Sequence, residues 1–443
     1  MLECVGLEAA LDRSEPRVNL DWHRLKAVVL ESDDWGLCAW VPDEQAHRAL
    51  TGQPAFRSAA GQRYGRSTLE SAQDVHALER LLLEFRGGDG LPPVWQANTI
   101  VAAPRWERLE PPLFRVDELP LAELESAPER WQRPGLAAAW AAAIERGVWW
   151  PELHGLHHLP ETAWLHALRR GQHDARLAHE HLSPICEAVE SSGEYDPAEP
   201  REVRARVLRA ALERFTARFG RAPSSFCPPD YRFDDWLEAE AESLGLTTLQ
   251  GRPERAGDPL LALRRRWQGV RFPQFSGARF YLPPRIAFEP RGEAEAPGRV
   301  GVEAAHRAAR EAWRAGRPAI VSTHRLNYAH LDPEWSGAGR TALGELLGRL
   351  CRDGAVFLTD AELRQLSTRA WSVRPIGGRG ALLRHYGVPR EPLAFPVPGR
   401  SRGARLRPPA EGVGEADGTI KVEGGTAEAR VNLGEHVIEW VGA

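Results

Sequence analysis

The chain has 443 residues, 27% charged and 42% hydrophobic, an ordinary globular composition with room for one large α/β unit and a minor module. Its 61 acidic and 57 basic residues leave a formal net charge of -4, which argues against nucleic acid or an anionic membrane surface as partner. The five cysteines (Cys4, Cys38, Cys186, Cys227, Cys351) are far apart and odd in number, which argues against a disulfide framework or zinc knuckle and fits a reducing compartment.

The opening Met1-Leu2-Glu3-Cys4 is acidic early and carries no apolar core segment, so no secretory signal is expected. The most apolar run, Leu136 to Ile144, is too short to span a bilayer. A cytoplasmic protein without a transmembrane segment is therefore expected. Residues 1–23 read as a polar lead-in and 24–372 as one α/β unit; 373–417 read as a Pro/Gly/Arg-rich linker and 418–443 as a small β element.

Lys26 to Leu30 is a short β-branched run without alternation, the pattern of a strand buried on both faces. It ends at Glu31-Ser32-Asp33-Asp34-Trp35-Gly36. Residues 41–66 read as loop or irregular helix. Ser67 and Glu70 stand at capping-box spacing before a helix with Val75, Leu78, Leu81 and Leu82 on one face. Val94 to Val101 is the next strand, and a helix is expected over about Gly135–Arg146. The strand Val148–Leu153 runs straight into His154. A long amphipathic helix follows at about 200–219, closed by Gly220, then a strand Ser224–Cys227 stopped by two prolines. A helix over Asp234–Leu244, a strand Leu246–Gln250, strand and loop material over 268–290 and a helix near 302–315 come next. The last strands of the unit are Ala319–Ser322 and Ala355–Leu358, with a leucine-registered helix between them.

Strand and helix alternation of this kind predicts parallel strands with crossover helices, an α/β barrel or open sheet. Such folds place chemistry at strand C-terminal ends. Here those ends carry Asp33-Asp34, Asn98, His154 to His158, Cys227 to Asp230 and His324-Arg325. His154 and His158 are four apart, and two imidazoles plus a carboxylate leave open positions on a zinc-like ion. Neighbouring like charges push their pKa values apart, so Asp33 and Asp34 suit different tasks, one ligating and one accepting a proton. His324 is a candidate proton donor near neutral pH. Each motif alone also has a structural reading: a helix cap, a solvated histidine pair, a histidine on a backbone carbonyl. Cys227, in an apolar run beside prolines, reads as a buried inert thiol.

Together the three stretches resemble the polysaccharide deacetylase family, the NodB-homology carbohydrate esterases. The family's T-F-D-D-G motif is matched by Glu31-Ser32-Asp33-Asp34-Trp35-Gly36, with Trp35 as an extra residue. Its H-S/T-x-x-H motif is matched by His154-Gly155-Leu156-His157-His158, and its L-x-H motif by Ser322-Thr323-His324. The resemblance covers about residues 26–365 and implies a distorted (β/α)7 barrel holding a divalent metal, usually Zn2+. It implies Asp33 as general base, Asp34, His154 and His158 as metal ligands, and His324 as general acid. The implied activity is removal of N- or O-linked acetyl groups from a sugar of a polysaccharide or glycolipid precursor.

One departure matters. The family's R-x-P-Y motif supplies an arginine that orients the catalytic aspartate, and the aligned stretch here is Cys227-Pro228-Pro229-Asp230-Tyr231-Arg232. Arg232 or Arg325 is then the expected stand-in, and Asp230 a supporting residue. Asn98, Asn327, Arg285 and Glu289 are candidates for sugar contacts. Two alternatives stay open: a metal amidase acting on a non-sugar substrate, and a catalytically silent barrel that binds glycans.

Overall fold

The computed structural model describes residues 20–189, 193–231, 234–250, 272–292, 298–378, 380–397, 401–407 and 418–441. Arg232, most of the expected lead-in, and residues 268–271 and 408–417 of the expected elements lie outside the described residues.

The first apolar run forms strand β1, Ala27–Trp35, buried over nearly its whole length. The next strands are β2 (Trp95–Ile100), β3 (Trp149–Gly155), β4 (Thr248–Leu249), β5 (Arg279–Tyr281), β6 (Arg285–Ala287), β7 (Ala319–His324) and β8 (Val356–Phe357). β1 lies between β2 and β7, all parallel. β3 extends the sheet beyond β2, β6 extends it beyond β7, and β8 pairs with the start of β1. Beyond β3 the path continues through single bridges from Leu153 to Phe226 and from Phe226 to Leu249, then through β4 to β5. The short strand Gln274–Ser276 is antiparallel to β5. The class is therefore α/β with a parallel central sheet. The closed, seven-unit barrel is not shown: among the described residues no ladder joins β5 to β6.

The expected strand Ser224–Cys227 is reduced to the bridge at Phe226. The buried Glu152 carboxylate accepts the N–H groups of Ser224 and Ser225 (2.7 and 2.9 Å), and Pro228 and Pro229 offer no further donor. A side chain thus satisfies backbone groups that a ladder would otherwise take.

Helices cover the outside of the sheet. The capping box sits at Ser71 and Asp74, four residues beyond the expected Ser67/Glu70 pair, and opens the helix Ala72–Leu83. Glu70 is instead buried and accepts the Gly36 N–H and the Arg325 guanidinium. Residues 41–66 contain three short helices, Glu44–Leu50, Pro54–Arg57 and Ala59–Tyr64. The long helix is Arg201–Phe219, and Gly220 closes it at φ +67°. Among the described residues no helix is long and apolar enough to cross a membrane.

The stretch 373–417, expected as linker, carries strands. Trp371–Ile376, Gly380–His385, Gly434–Val441 and Gly403–Arg407 form one antiparallel sheet in that order. Leu393–Pro396, Thr426–Val431 and Gly418–Glu423 form a second. Leu383, Leu393, Phe395, Ala427, Val431 and Ile438 are buried in the apolar cluster the strands share. The alternation that marks these strands is real but short, as in Leu393–Pro396, and its arginines and prolines resemble linker composition.

Candidate active site

Register brings the strand ends together. In the β1–β7 ladder Asp33 lies opposite His324. In the β2–β3 ladder Asn98 lies opposite Glu152, two residues before His154. The register of β1 with β2 slips between Ser32 and Trp35, where the extra residue of the motif sits. Trp35 is fully buried, edge-on to Trp149 with ring centroids 4.7 Å apart, and its indole donates to Ser32 Oγ (2.9 Å). This anchor leaves Asp34 at φ +74° and Gly36 at φ +77°. A Cβ on Gly36 would stand 2.3 Å from the Ile100 carbonyl oxygen, so the turn admits only glycine.

Asp34 Oδ1 lies 3.4 Å from His154 Nε2 and 3.5 Å from His158 Nε2. One ligand atom from each residue falls within 4.8 Å of the others. His154 Nδ1 is 2.7 Å from the Cys227 carbonyl, which requires the proton on Nδ1 and turns Nε2 toward Asp34. The loop after His154 is held by Glu194, whose buried carboxylate accepts the N–H groups of Leu156, His157 and His158 (2.6–2.8 Å). That anchor places His158 at φ +60° with its ring 5.2 Å from that of His154. Two imidazoles and a carboxylate with open sides are a donor set for a divalent cation.

A second set, Asp33, His154 and Cys227, also clusters within 4.8 Å. It fits a cation less well. Burial holds the Cys227 thiol well above its usual pKa, so the proton stays on sulfur. Both Asp33 oxygens are already engaged: Asn98 donates to Oδ1 (2.6 Å), Tyr231 to Oδ2 (2.8 Å), and Arg285 to both (3.2 and 2.6 Å).

Arg285 is the arginine that orients Asp33, and it comes from β6. Its guanidinium also meets Glu31, Tyr231, Ser322 Oγ (3.1 Å), Gln250 Oε1 (2.7 Å) and Cys227 Sγ (3.3 Å). The expected stand-in Arg325 is elsewhere: it is buried, bonding the Leu37 carbonyl (2.9 Å) and Glu70 (3.1 Å). Arg325 thus braces the loop after Asp34 rather than Asp33. Asp230 is exposed at φ +55° and is not among the groups that bond Asp33. Its neighbour Tyr231 makes that contact.

Burial by itself would raise the pKa of Asp33, but the charge of Arg285 and then those of His154 and His324 hold it well below the usual carboxylate range. Burial opposes ionisation of Asp34 too, and the His154 hydrogen bond and His158 charge outweigh it. At Glu31 burial wins, and its carboxyl is raised well above the ordinary range despite Arg285.

His324 Nδ1 lies 2.5 Å from Glu289 Oε1. Glu289 is held in turn by Arg63 (2.6 Å) and Asn327 (2.7 Å), so these two support the histidine. Burial would lower the His324 pKa, but Glu289 overrides it and pushes it up to about 9. The arrangement joins a candidate cation donor set, an ionised carboxylate and a protonated imidazole around one mouth of the sheet. This is a set suited to hydrolysis of an acyl group.

Of the residues singled out from sequence, Asp33, Asp34, His154, His158, His324 and Asn98 converge here. Arg285 and Glu289 do so too, bonded to Asp33 and His324. Glu194 and Gln250 carried no sequence signal, since one sits in a polar acidic loop and the other ends an ordinary strand.

No protein-family model matches the chain, and no curated protein matches it. Among solved structures it is similar to a Mycobacterium smegmatis protein described as a polysaccharide deacetylase, at 13% identity and TM-score 0.38, covering 80% of this chain and 94% of that one. It is also similar to Agd3, a carbohydrate deacetylase, at 9% identity and TM-score 0.40; 97% of this chain is covered, and it spans 66% of Agd3. The α-fucosidase of Thermotoga maritima follows at 12% identity and TM-score 0.34, with 98% and 99% covered. Carbohydrate deacetylases and a glycoside hydrolase are thus among the chains it is similar to, all at low identity.

Proposed function

We propose that the chain is a metal-dependent hydrolase that removes acetyl groups from a sugar of a polysaccharide or glycolipid precursor. The single observation that carries the reading is Asp33 opposite His324 in register, with Asp34, His154 and His158 grouped beside them. The sugar substrate class rests on the three motifs.

Asp34, His154 and His158 would hold the divalent ion, for which zinc fits the two imidazoles. That ion, when bound, supplies Lewis acidity to the acyl carbonyl and to the attacking water. Asp33, kept ionised by Arg285, accepts the proton of the attacking water. Asn98 and Tyr231 fix its two oxygens and hence its direction. His324 donates its Nδ1 proton to Glu289, so Nε2 is the atom that delivers a proton to the departing sugar amine or alcohol. Arg285 fills the orienting role left vacant at position 227, which weakens the case for a silent glycan-binding barrel.

The test joins metal content to turnover. Wild type, analysed for bound metals, should release acetate from acetylated chito-oligosaccharides faster than from simple amides. Asp33→Asn should keep its metal and lose about 10²–10⁴-fold in kcat. No acetate release at any metal loading, or an undiminished rate in Asp33→Asn, would sink the proposal.

A further inference from the structure

Tyr64 ends the short helix Ala59–Tyr64, in the stretch between β1 and the helix Ala72–Leu83. Its ring is fixed on three sides. Trp40 stacks on it with centroids 5.7 Å apart and an interplanar angle of 18°. The Arg63 guanidinium lies over it at 5.3 Å. The His324 ring meets it edge-on at 6.2 Å. Trp40 itself is held at φ +66°, an uncommon conformation for a bulky residue, and packs edge-on to Phe56 at 5.5 Å. The chain thus builds an aromatic wall beside the candidate proton donor.

The hydroxyl of this well-held ring has no hydrogen-bond partner among the described residues, although the ring is partly buried. The charges that act on it are, in order, those of Glu289, Arg63, Asp34 and Asp33. Burial, then Glu289, keep the phenol protonated and therefore a donor. A phenol held beside His324 without a partner among the described residues is free to bond an acceptor that arrives with the substrate.

We propose that Tyr64 is a catalytic residue whose hydroxyl donates a hydrogen bond to the acyl oxygen of the bound substrate. Trp40 is the positioning residue behind it. The proposal rests on the reading of the site as an acetyl hydrolase. The oxygen gains negative charge as water adds to the carbonyl, so the bond strengthens in the transition state and its loss falls mainly on kcat.

The experiment compares full-length, zinc-loaded wild type and Tyr64→Phe, which keeps the ring against Trp40 and His324. The variant should retain zinc content and melting temperature, lose about 10²-fold in kcat on an acetylated chito-oligosaccharide, and change KM by less than about threefold. Acetohydroxamic acid, which presents an acyl oxygen without turnover, should bind the variant at least about tenfold more weakly by calorimetry. A variant with wild-type kcat and unchanged hydroxamate affinity overturns the role of Tyr64 and leaves the hydrolase reading standing. Failure of zinc-loaded wild type to release acetate removes that reading, and this inference falls with it.

Discussion

Arginine ion pairs stand at opposite ends of the β1 sheet. At the base, Arg384 pairs with Asp89 (2.6 Å) and Glu362 (3.1 Å), and Arg374 pairs with the other oxygen of Glu362 (3.1 Å). Arg384 also donates to the Phe357 carbonyl and Arg374 to the Gly147 carbonyl. Two guanidiniums meet Asp89 and Glu362, with Glu435 3.9 Å from Arg384 at the rim, and the result clasps the C-terminal strands to the loops that precede β2 and β3. At the mouth, one guanidinium, Arg285, meets Glu31 and Asp33, with Asp360 acting on Glu31. Asp34 and the imidazoles of His154 and His158 fill the remaining side. The ion pairs at the base are closed and structural; those at the mouth stand beside a carboxylate and two imidazoles with open sides, which suits a site that takes up a cation.

Removing a histidine from the mouth should give the largest effect. His154→Ala should abolish tight metal binding and lower kcat/KM by about 10³-fold or more, read by elemental analysis and acetate release. Retained metal would break the contrast. Next come the two arginines. Arg285→Met and Arg384→Met should each cost about 3–5 kcal/mol in chemical denaturation, because each strands buried carboxylates. Only Arg285→Met should reduce the kcat of the protein that remains folded, and an equal loss of kcat in Arg384→Met would erase the distinction.

A smaller effect concerns pH. Glu289 raises the His324 pKa to about 9, so the imidazole stays a proton donor below that pH, and donation is lost as pH rises through it. Glu289→Gln should move the alkaline limb of kcat/KM down by about 1–3 pH units, and an unmoved limb would exclude His324 as the acid. The least change is expected from Asn98→Ala, which removes one of the bonds to Asp33 and leaves Arg285 and Tyr231. Its cost should be about tenfold in kcat at most, with metal content intact.

The chain's own pattern indicated the α/β class, and it indicated Asp33, Asp34, His154, His158 and His324 as one cluster. Cation-binding and acid–base chemistry demand particular residue types, and strand ends are where parallel sheets expose them. Arg285 was indistinct because a guanidinium reaches its partner across strands, so its role depends on which residue lies beside β7. The expected cap at Ser67 and Glu70 failed for a related reason. Glu70 finds stronger buried partners in Arg325 and the Gly36 N–H, and Ser71 with Asp74 takes over the helix start.

Local sequence by itself determined the buried run of β1, the glycine turn at Gly36 and the four-residue spacing of the imidazoles, because these depend on neighbours along the chain. Tertiary structure alone decided that Arg285 serves Asp33, that Glu194 shapes the His154–His158 loop, and that the strands Trp371–Ile376, Gly380–His385, Leu393–Pro396 and Gly403–Arg407 join the C-terminal strands. Each of those outcomes is a pairing between groups tens to hundreds of residues apart, and which partner is reached is set by register and packing rather than by residue type.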